Sequence, residues 1–99
     1  MKIEWDLKRN TGNFSKYGLL FEESIQVFSD KNHLAVFDKG RSVNEERWIL
    51  LGKIPDDRII SLVFTCIRTE KEWEEVRIIS SRKATEKETN QYKNRREGK

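Results

Sequence analysis

The sequence predicts an α+β fold, in which helical and extended segments are segregated along the chain instead of alternating. Residues 21–28 place apolar side chains at helical spacing, whereas from residue 34 onward the apolar pattern is extended. A Thr-x-x-Glu sequence at residues 85–88 then marks the start of another helix. We therefore expect a very short N-terminal strand, two helices, a four-stranded antiparallel sheet and a C-terminal helix.

The N-terminal elements follow from their caps and their apolar spacing. A short strand is predicted at residues 3–5, and Asp6 is a suitable N-cap for the helix that follows. Gly18 supplies the left-handed residue at which such a helix ends. A second helix is predicted over residues 21–28, because its apolar residues recur at i, i+4 and i+7.

The remaining strands are predicted from β-rich runs bounded by turn residues. They cover residues 34–37, 46–52, 59–67 and 73–81. Short connections predict that these strands pair in sequence as an antiparallel meander. Thr85 at the N-cap and Glu88 three residues later form a capping box for the last helix, which we expect to fray near Arg95.

The composition indicates one small domain spanning residues 1–99, of which 37% are charged. Residues 1–81 hold 13 Lys and Arg against 14 Asp and Glu, whereas residues 82–99 hold 7 against 3. The net charge of +3 therefore comes from the C-terminal end, whose residues 93–99 we expect to form a frayed basic tail. Such a tail either attracts a polyanion or an acidic partner, or is a solvated terminus.

The chain is predicted to be cytoplasmic. No apolar run approaches the ~20 residues of a membrane helix, and we expect neither a signal peptide nor membrane association. Cys66 is the single cysteine, so no internal disulfide can form, and a reducing compartment fits best. Because Cys66 lies within an apolar run, we expect it in the core.

The sequence predicts no metal and no cofactor. One histidine, His33, and one cysteine cannot build a zinc site of the usual kind. Neither the P-loop nor the dinucleotide-binding glycine motif occurs, and a single histidine gives no Ser-His-Asp set.

A set of cations on the predicted strands and at their ends is the remaining candidate for chemistry. It comprises Arg47, Lys53, Arg68, Arg77, Arg82 and Lys83. Alternate residues of a strand share a face, so Arg47 and Lys53 point the same way. Arg77 and Arg82 have opposite parity, so only a bulge or the strand end can bring both to one face.

Several cations on one sheet face can hold an RNA backbone and stabilise the charge that develops on phosphate during strand cleavage. Metal-free cleavage also needs a base for the 2′-hydroxyl, for which Glu46 or an unprotonated Lys53 is a candidate. We expect Trp48 in the core and Trp73 at a strand edge or an interface, unless one of them stacks on a base. The same charges can equally solvate an exposed sheet face, and the residues alone leave both interpretations open.

Several segments resemble the BrnT family of toxins. They run in order from residue 3 to residue 92 and comprise Ile3-Glu4-Trp5-Asp6, Lys16-Tyr17-Gly18, Phe21-Glu22-Glu23, Val27-Phe28, Glu45-Glu46-Arg47-Trp48-Ile49 with Gly52, and Arg77 to Thr85 with Glu88 and Tyr92. The most specific are Glu-Glu-Arg-Trp and Arg-Ile-Ile-Ser-x-Arg-Lys-Ala-Thr. The chain differs from the family at Tyr17 and Arg41, where the family usually carries histidine, and in a longer link at residues 68–75.

The resemblance implies a RelE-like α+β fold and an RNA-cleaving toxin of a type II toxin–antitoxin system, which blocks translation. It also implies a BrnA-like antitoxin with a ribbon-helix-helix part, a heterotetramer of two toxins and two antitoxins, and contact with operator DNA only through the antitoxin. The alternative is a non-catalytic binding module that holds an antitoxin or nucleic acid through a basic sheet face.

The resemblance makes Arg82 the first candidate for stabilising the transition state of RNA cleavage. The further catalytic candidates are Arg47, Lys53, Glu46 and Arg77. Contacts with RNA are expected from Arg68, Lys83, Trp48 and Tyr92.

Overall fold

The computed structural model describes residues 1–70 and 72–97, with side chains through residue 94. Its helices are α1 (Leu7–Tyr17), α2 (Phe21–Ser24) and α3 (Glu86–Glu97), with 3₁₀ helices at Ile25–Ser29 and Lys39–Arg41. Its strands are β1 (Lys2–Glu4), β2 (Leu34–Phe37), β3 (Glu46–Lys53), β4 (Ile59–Arg68) and β5 (Trp73–Lys83). The predicted α+β class is confirmed. Within the described residues, no helix is long and apolar enough to cross a membrane.

The five strands form one sheet in the order β1-β5-β4-β3-β2. The strands β2 to β5 are the predicted antiparallel meander. The short strand β1 joins its edge in parallel to β5, with Ile3 opposite Val76.

Two predicted elements differ from the structure by more than a shift of one residue at an end. The strand β5 continues to Lys83 instead of ending at Ser81, because the ladder still pairs Ser61 with Arg82 and Ile60 with Lys83. Arg82 and Lys83 are therefore strand residues and do not follow the strand.

The segment predicted as one helix over residues 21–28 is a single α-turn followed by a 3₁₀ helix. In this tighter winding Val27 is fully buried against β3. Gly52 makes the close approach feasible, since a Cβ there would lie 2.8 Å from the Cβ of Val27.

The predicted caps are confirmed. The Asp6 side chain accepts a hydrogen bond from the Lys8 amide, and Gly18 ends α1 with φ of 72°. At α3 the Thr85 hydroxyl accepts from the Glu88 amide, while the Glu88 carboxylate accepts from the Thr85 amide. The predicted fraying of residues 93–99 falls partly outside the described residues.

The apolar core lies between one face of the sheet and the segment that runs from α1 to the 3₁₀ helix at Ile25–Ser29. Its buried members are Leu19, Phe21, Val27, Leu50, Ile54, Ile60, Leu62, Phe64, Cys66, Val76 and Ile78. Cys66 is thus a core residue, as predicted. The other sheet face is covered at one end, where Leu51 and Ser61 are buried and α3 contacts β3 and buries Tyr92.

The helix α1 packs against β5, where the buried Asn13 makes the hydrogen bonds between them. The Asn13 side chain accepts from the Ser81 amide and donates to the Ser81 carbonyl. Because β1 pairs only with residues 75–77 of β5, no strand within the described part of the chain pairs with the edge beyond. The Asn13 side chain therefore makes the hydrogen bonds that a neighbouring strand would otherwise make to the amide and the carbonyl of Ser81.

Candidate active site

A β-bulge in β5 decides which of its side chains share a face. Val63 of β4 lies opposite Ser80, but the next residue, Phe64, lies opposite Ile78. Ile79 is therefore an extra residue in β5, and the alternation of faces shifts by one beyond it.

This bulge brings Arg77 and Arg82 to the same face. Arg77 lies opposite Thr65 and Arg82 opposite Ser61, and these β4 residues are four apart, so they point the same way. The face is turned away from the core, because Phe64, adjacent to Thr65, points into the core.

Arg47, Thr65 and Arg77 form a row across three adjacent strands, which we term the arginine row. Thr65 is the cross-strand partner of both arginines, whose Cα atoms are therefore roughly 10 Å apart. Among the described residues, the buried Oγ1 of Thr65 has no hydrogen-bond partner, and the buried Nε of Arg47 has an ion pair with Asp38 but no hydrogen bond. Buried polar atoms of this kind normally bind water or a ligand.

A carboxylate stands at each end of the arginine row. Oδ2 of Asp38 is 3.5 Å from Nε of Arg47, and Oε2 of Glu4 is 3.2 Å from Nη2 of Arg77. Each guanidinium has five N–H donors, so most donors of both arginines remain available. The exposed Glu4–Arg77 pair contributes little stability.

A groove of about 710 Å³ opens at the Arg77 end of the row. It is lined by Glu4, Trp5, Asp6, Arg9, Glu45, Thr65, Arg77 and Ile79. Its volume falls in the range of small-ligand sites. The groove therefore presents cations from α1 and β5 together with the Thr65 hydroxyl and several carboxylates.

Arg82 lies on the same face, roughly 13 Å along the strands from the arginine row. Its Nη1 and Nη2 donate to the two carboxylate oxygens of Glu88 at 2.8 and 3.0 Å. Hydrogen bonding from Arg82 lowers the pKa of Glu88, and the same bonds raise the pKa of Arg82. Arg82 is thus a paired cation that remains accessible to solvent.

Three other predicted residues lie away from the arginine row. Lys53 is six residues along β3 from Arg47, a separation of roughly 20 Å. Lys83 is exposed at the end of β5. Tyr92 is 1% exposed and its hydroxyl donates to Asp30, so the ring is interior and is not presented for contact with RNA.

Glu46, Trp48 and Arg68 lie together on the core side of the sheet. The Glu46 carboxylate accepts hydrogen bonds from Arg68 at 2.8 and 3.1 Å and from Nε1 of Trp48 at 3.1 Å. These bonds, that from Arg68 above all, lower the pKa of Glu46. A carboxylate held in this way is a weak proton acceptor, and it faces away from the arginine row.

Trp48 and Arg68 also line an aromatic pocket of about 480 Å³. The rings of Trp48 and Trp73 meet edge to face there, with centroids 5.5 Å apart. Trp48 packs against the core, as the sequence predicts. The predicted site residues therefore fall into separate groups, and only Arg47 and Arg77 share a row.

Sequence reasoning missed Thr65 and Glu45 as site residues. The signal for Thr65 was present in the short link between the predicted strands 46–52 and 59–67, which contains Pro55 and two aspartates, since closing that hairpin places Arg47 opposite Thr65. Glu45 is an exposed residue flanked by the charged or polar residues Asn44, Glu46 and Arg47. Nothing in the sequence indicates that Glu45 and Glu46 lie in different surroundings.

Comparison with known proteins places this arrangement in a family. The family profile described as "Ribonuclease toxin, BrnT, of type II toxin-antitoxin system" matches residues 5–88. The chain belongs to the BrnT family. The matched range includes Arg47, Thr65, Arg77 and Glu45.

A solved BrnT structure agrees with this assignment. The chain is similar to the crystal structure of the Brucella abortus ribonuclease toxin BrnT, with 25% sequence identity and a TM-score of 0.59. The similarity covers 87% of this chain and 99% of the Brucella chain. No curated protein sequence matches the chain at a significant level. The chain is therefore a member of a family of ribonuclease toxins of type II toxin–antitoxin systems.

Proposed function

We propose that this BrnT-family chain cleaves RNA without a metal ion, blocks translation as a result, and is neutralised by a BrnA-like ribbon-helix-helix antitoxin. The observation that carries the catalytic part is the arginine row, with Thr65 between its two cations. The family itself implies an antitoxin partner.

The arginine row suits a phosphodiester in the act of cleavage. Attack by a 2′-hydroxyl produces a pentavalent phosphorus whose oxygens gain negative charge. Two guanidinium groups that approach the phosphate from either side, with a hydroxyl between them, stabilise that charge because their positions are fixed by the sheet. The rigid strands supply the orientation before the substrate arrives.

Arg82 and Lys83 extend the same basic face toward α3. In our proposal they contact phosphates of neighbouring nucleotides, and Arg82 exchanges part of its pairing with Glu88 for the RNA backbone. Such contacts position the strand and make its binding sensitive to salt.

The proposed assembly contains two toxins and two antitoxins, with operator DNA bound by the antitoxin. An antitoxin that covers the arginine row prevents access of RNA to it. In this scheme the toxin contributes to repression only as part of the complex.

Incubation of the purified protein with total RNA, with and without EDTA, tests the proposal. We expect cleavage in both samples, and a loss of about 10²–10³-fold in rate for Arg47→Ala or Arg77→Ala. Arg58→Ala is the matched control, since Arg58 also pairs with carboxylates but lies beside the β3–β4 turn. Salt-sensitive binding without cleavage would instead identify a binding module, and cleavage abolished by EDTA would contradict the metal-free mechanism.

A further inference from the structure

We infer that Glu45 is the general base that removes the proton from the attacking 2′-hydroxyl. This inference rests on the proposed function, because it assigns a role at the same arginine row.

The surroundings of Glu45 support the assignment. Glu45 directly precedes β3, and its neighbours in the groove include Thr65 and Arg77, which point away from the core. The groove at the end of the arginine row is lined by Glu45 together with Thr65 and Arg77. A second, smaller cavity is also lined by both Glu45 and Arg77. A phosphate bound at Arg77 therefore has the Glu45 carboxylate beside it.

The other carboxylates of the groove are already engaged. Glu4 pairs with Arg77, and Asp6 accepts the hydrogen bond that caps α1. Among the residues that the structure describes, Glu45 is the groove carboxylate with neither a hydrogen bond nor an ion pair. A carboxylate without such bonds keeps its lone pairs available to accept a proton.

Glu46 is the neighbouring alternative, and the geometry separates the two. Adjacent residues of a strand point to opposite faces, so Glu46 lies on the core side with Arg68 and Trp48. Within the motif Glu-Glu-Arg-Trp, Glu45 and Arg47 thus lie on the side of the arginine row, whereas Glu46 and Trp48 lie on the core side.

The proton transfer can be written in full. The Glu45 carboxylate takes the proton of the 2′-hydroxyl as the 2′-oxygen forms a bond to phosphorus. The bond between phosphorus and the 5′-oxygen then breaks, and the departing oxygen takes a proton from water. The products are a 2′,3′-cyclic phosphate and a 5′-hydroxyl, and protonated Glu45 returns its proton to the hydroxide left in solution.

Charged groups from several elements surround Glu45. Those that line the same cavities or share its strand face are Glu4, Asp6, Arg9, Arg47, Glu75 and Arg77. The set contains three cations and three anions besides Glu45, so no single sign dominates.

The test compares Glu45→Gln with Glu46→Gln, and uses Glu86→Gln, an exposed carboxylate of α3, as the control. We expect Glu45→Gln to lower the cleavage rate by at least about 100-fold. Binding of 2′-O-methyl RNA, which lacks the attacking hydroxyl, should stay at the wild-type affinity. The wild-type rate should fall in acid as the base is protonated, and this acid limb should be absent from the residual activity of Glu45→Gln. Partial recovery in Glu45→Asp would support the same role.

The outcomes separate this inference from the function on which it rests. If Glu45→Gln cleaves at the wild-type rate while Arg47→Ala does not, Glu45 is not the base and the proposed ribonuclease site stands. The reverse pattern, with cleavage lost in Glu46→Gln and kept in Glu45→Gln, also overturns the inference. A wild-type protein that binds RNA without cleaving it overturns both.

Discussion

The guanidinium of Arg82 donates two parallel hydrogen bonds to the carboxylate of Glu88 and so ties the end of β5 to the first turn of α3. The same carboxylate accepts from the Thr85 amide in the capping box. One side chain therefore satisfies a strand cation and a helix N-terminus together.

Replacing Glu88 by glutamine should destabilise the protein. The change removes the charge that holds Arg82 and weakens the acceptor for the Thr85 amide, which together should cost about 1–2 kcal/mol. Glu86→Gln, in the same helical turn, should shift the free energy of unfolding by less than about 0.5 kcal/mol. Urea denaturation measures both, and equal effects would show that Glu88 has no special role.

RNA affinity should distinguish Arg82 from its partner. Arg82→Ala removes a phosphate contact in the proposed function, so the slope of log K against log salt should fall by about 1. Glu88→Gln keeps the cation and should keep the slope. A fluorescence anisotropy titration at several salt concentrations measures this, and identical slopes for wild type and Arg82→Ala would remove Arg82 from the binding face.

Stability should fall as the solution becomes acidic. Hydrogen bonding from Arg82 lowers the pKa of Glu88 below its ordinary value of 4.5. For Asp30, burial raises the pKa, but donation from Tyr92 and the Lys53 and Asn32 amides outweighs it and lowers the pKa below 3.8. A folded-state pKa that is lowered contributes stability above the unfolded value, and the contribution is lost as the pH falls through the folded value.

Thermal unfolding from pH 7 to pH 2 measures this loss. We expect the melting temperature to decline from about pH 4.5 downward, with a smaller decline in Glu88→Gln. A melting temperature that rises on acidification would contradict the assignment of both carboxylates.

Two glycines should respond in opposite directions to alanine. At Gly52 the new Cβ would lie 2.8 Å from the Cβ of Val27 and 3.2 Å from its carbonyl oxygen, so Gly52→Ala should cost about 1–3 kcal/mol. At Gly12, within α1, a new Cβ would have no described atom within 4 Å apart from its chain neighbours and the nearby backbone of its own helix, and Gly12→Ala should stabilise by about 0.5–1 kcal/mol. Chemical denaturation of the two variants measures the contrast, which a tolerated Gly52→Ala would refute.

Asn13 should be among the least replaceable polar residues. Asn13→Ala leaves the amide and the carbonyl of Ser81 without their partner in a buried position, at a cost of roughly 1–3 kcal/mol for each unsatisfied group. Ser15→Ala, on the exposed side of α1, is the control and should be nearly neutral. Hydrogen exchange of the Ser81 amide should accelerate in Asn13→Ala. Unchanged protection of that amide would show that Asn13 does not replace a neighbouring strand at the edge of β5.

Most of the fold follows from local signals in the sequence. Asp6, Gly18 and the Thr85–Glu88 pair mark helix ends by capping chemistry that depends only on nearby backbone groups. Strand pairing follows from short turns for the same reason. The parallel addition of β1 does not, since its partner in β5 lies more than 70 residues away and no local rule selects that edge.

The site was predictable only in part, because side-chain direction depends on the bulges of β5. Arg47 and Arg77 were both candidates. Arg82 shares their face only because Ile79 is an extra residue in β5, and this apolar residue carries no turn or bulge signal in the sequence. A second extra residue, Glu74, likewise moves Trp73 onto the core side. Which of Glu45 and Glu46 lines the groove beside Arg77 could be decided only once the start of β3 was known.

The bulge at Ile79 also decides what a change in the pairing of β5 would do. Without the bulge, the pairing beyond Ile78 would slip by one residue and Arg82 would lie opposite Ile60, with its side chain turned toward the buried contacts of Asn13 and Ser24. Ser81 would then face solvent. Deleting Ile79 has the opposite consequence, because Arg77 and Arg82 would be four positions apart in a regular strand and would stay on one face. The two arginines can therefore share a face either with the bulge at the present length or without it in a strand one residue shorter.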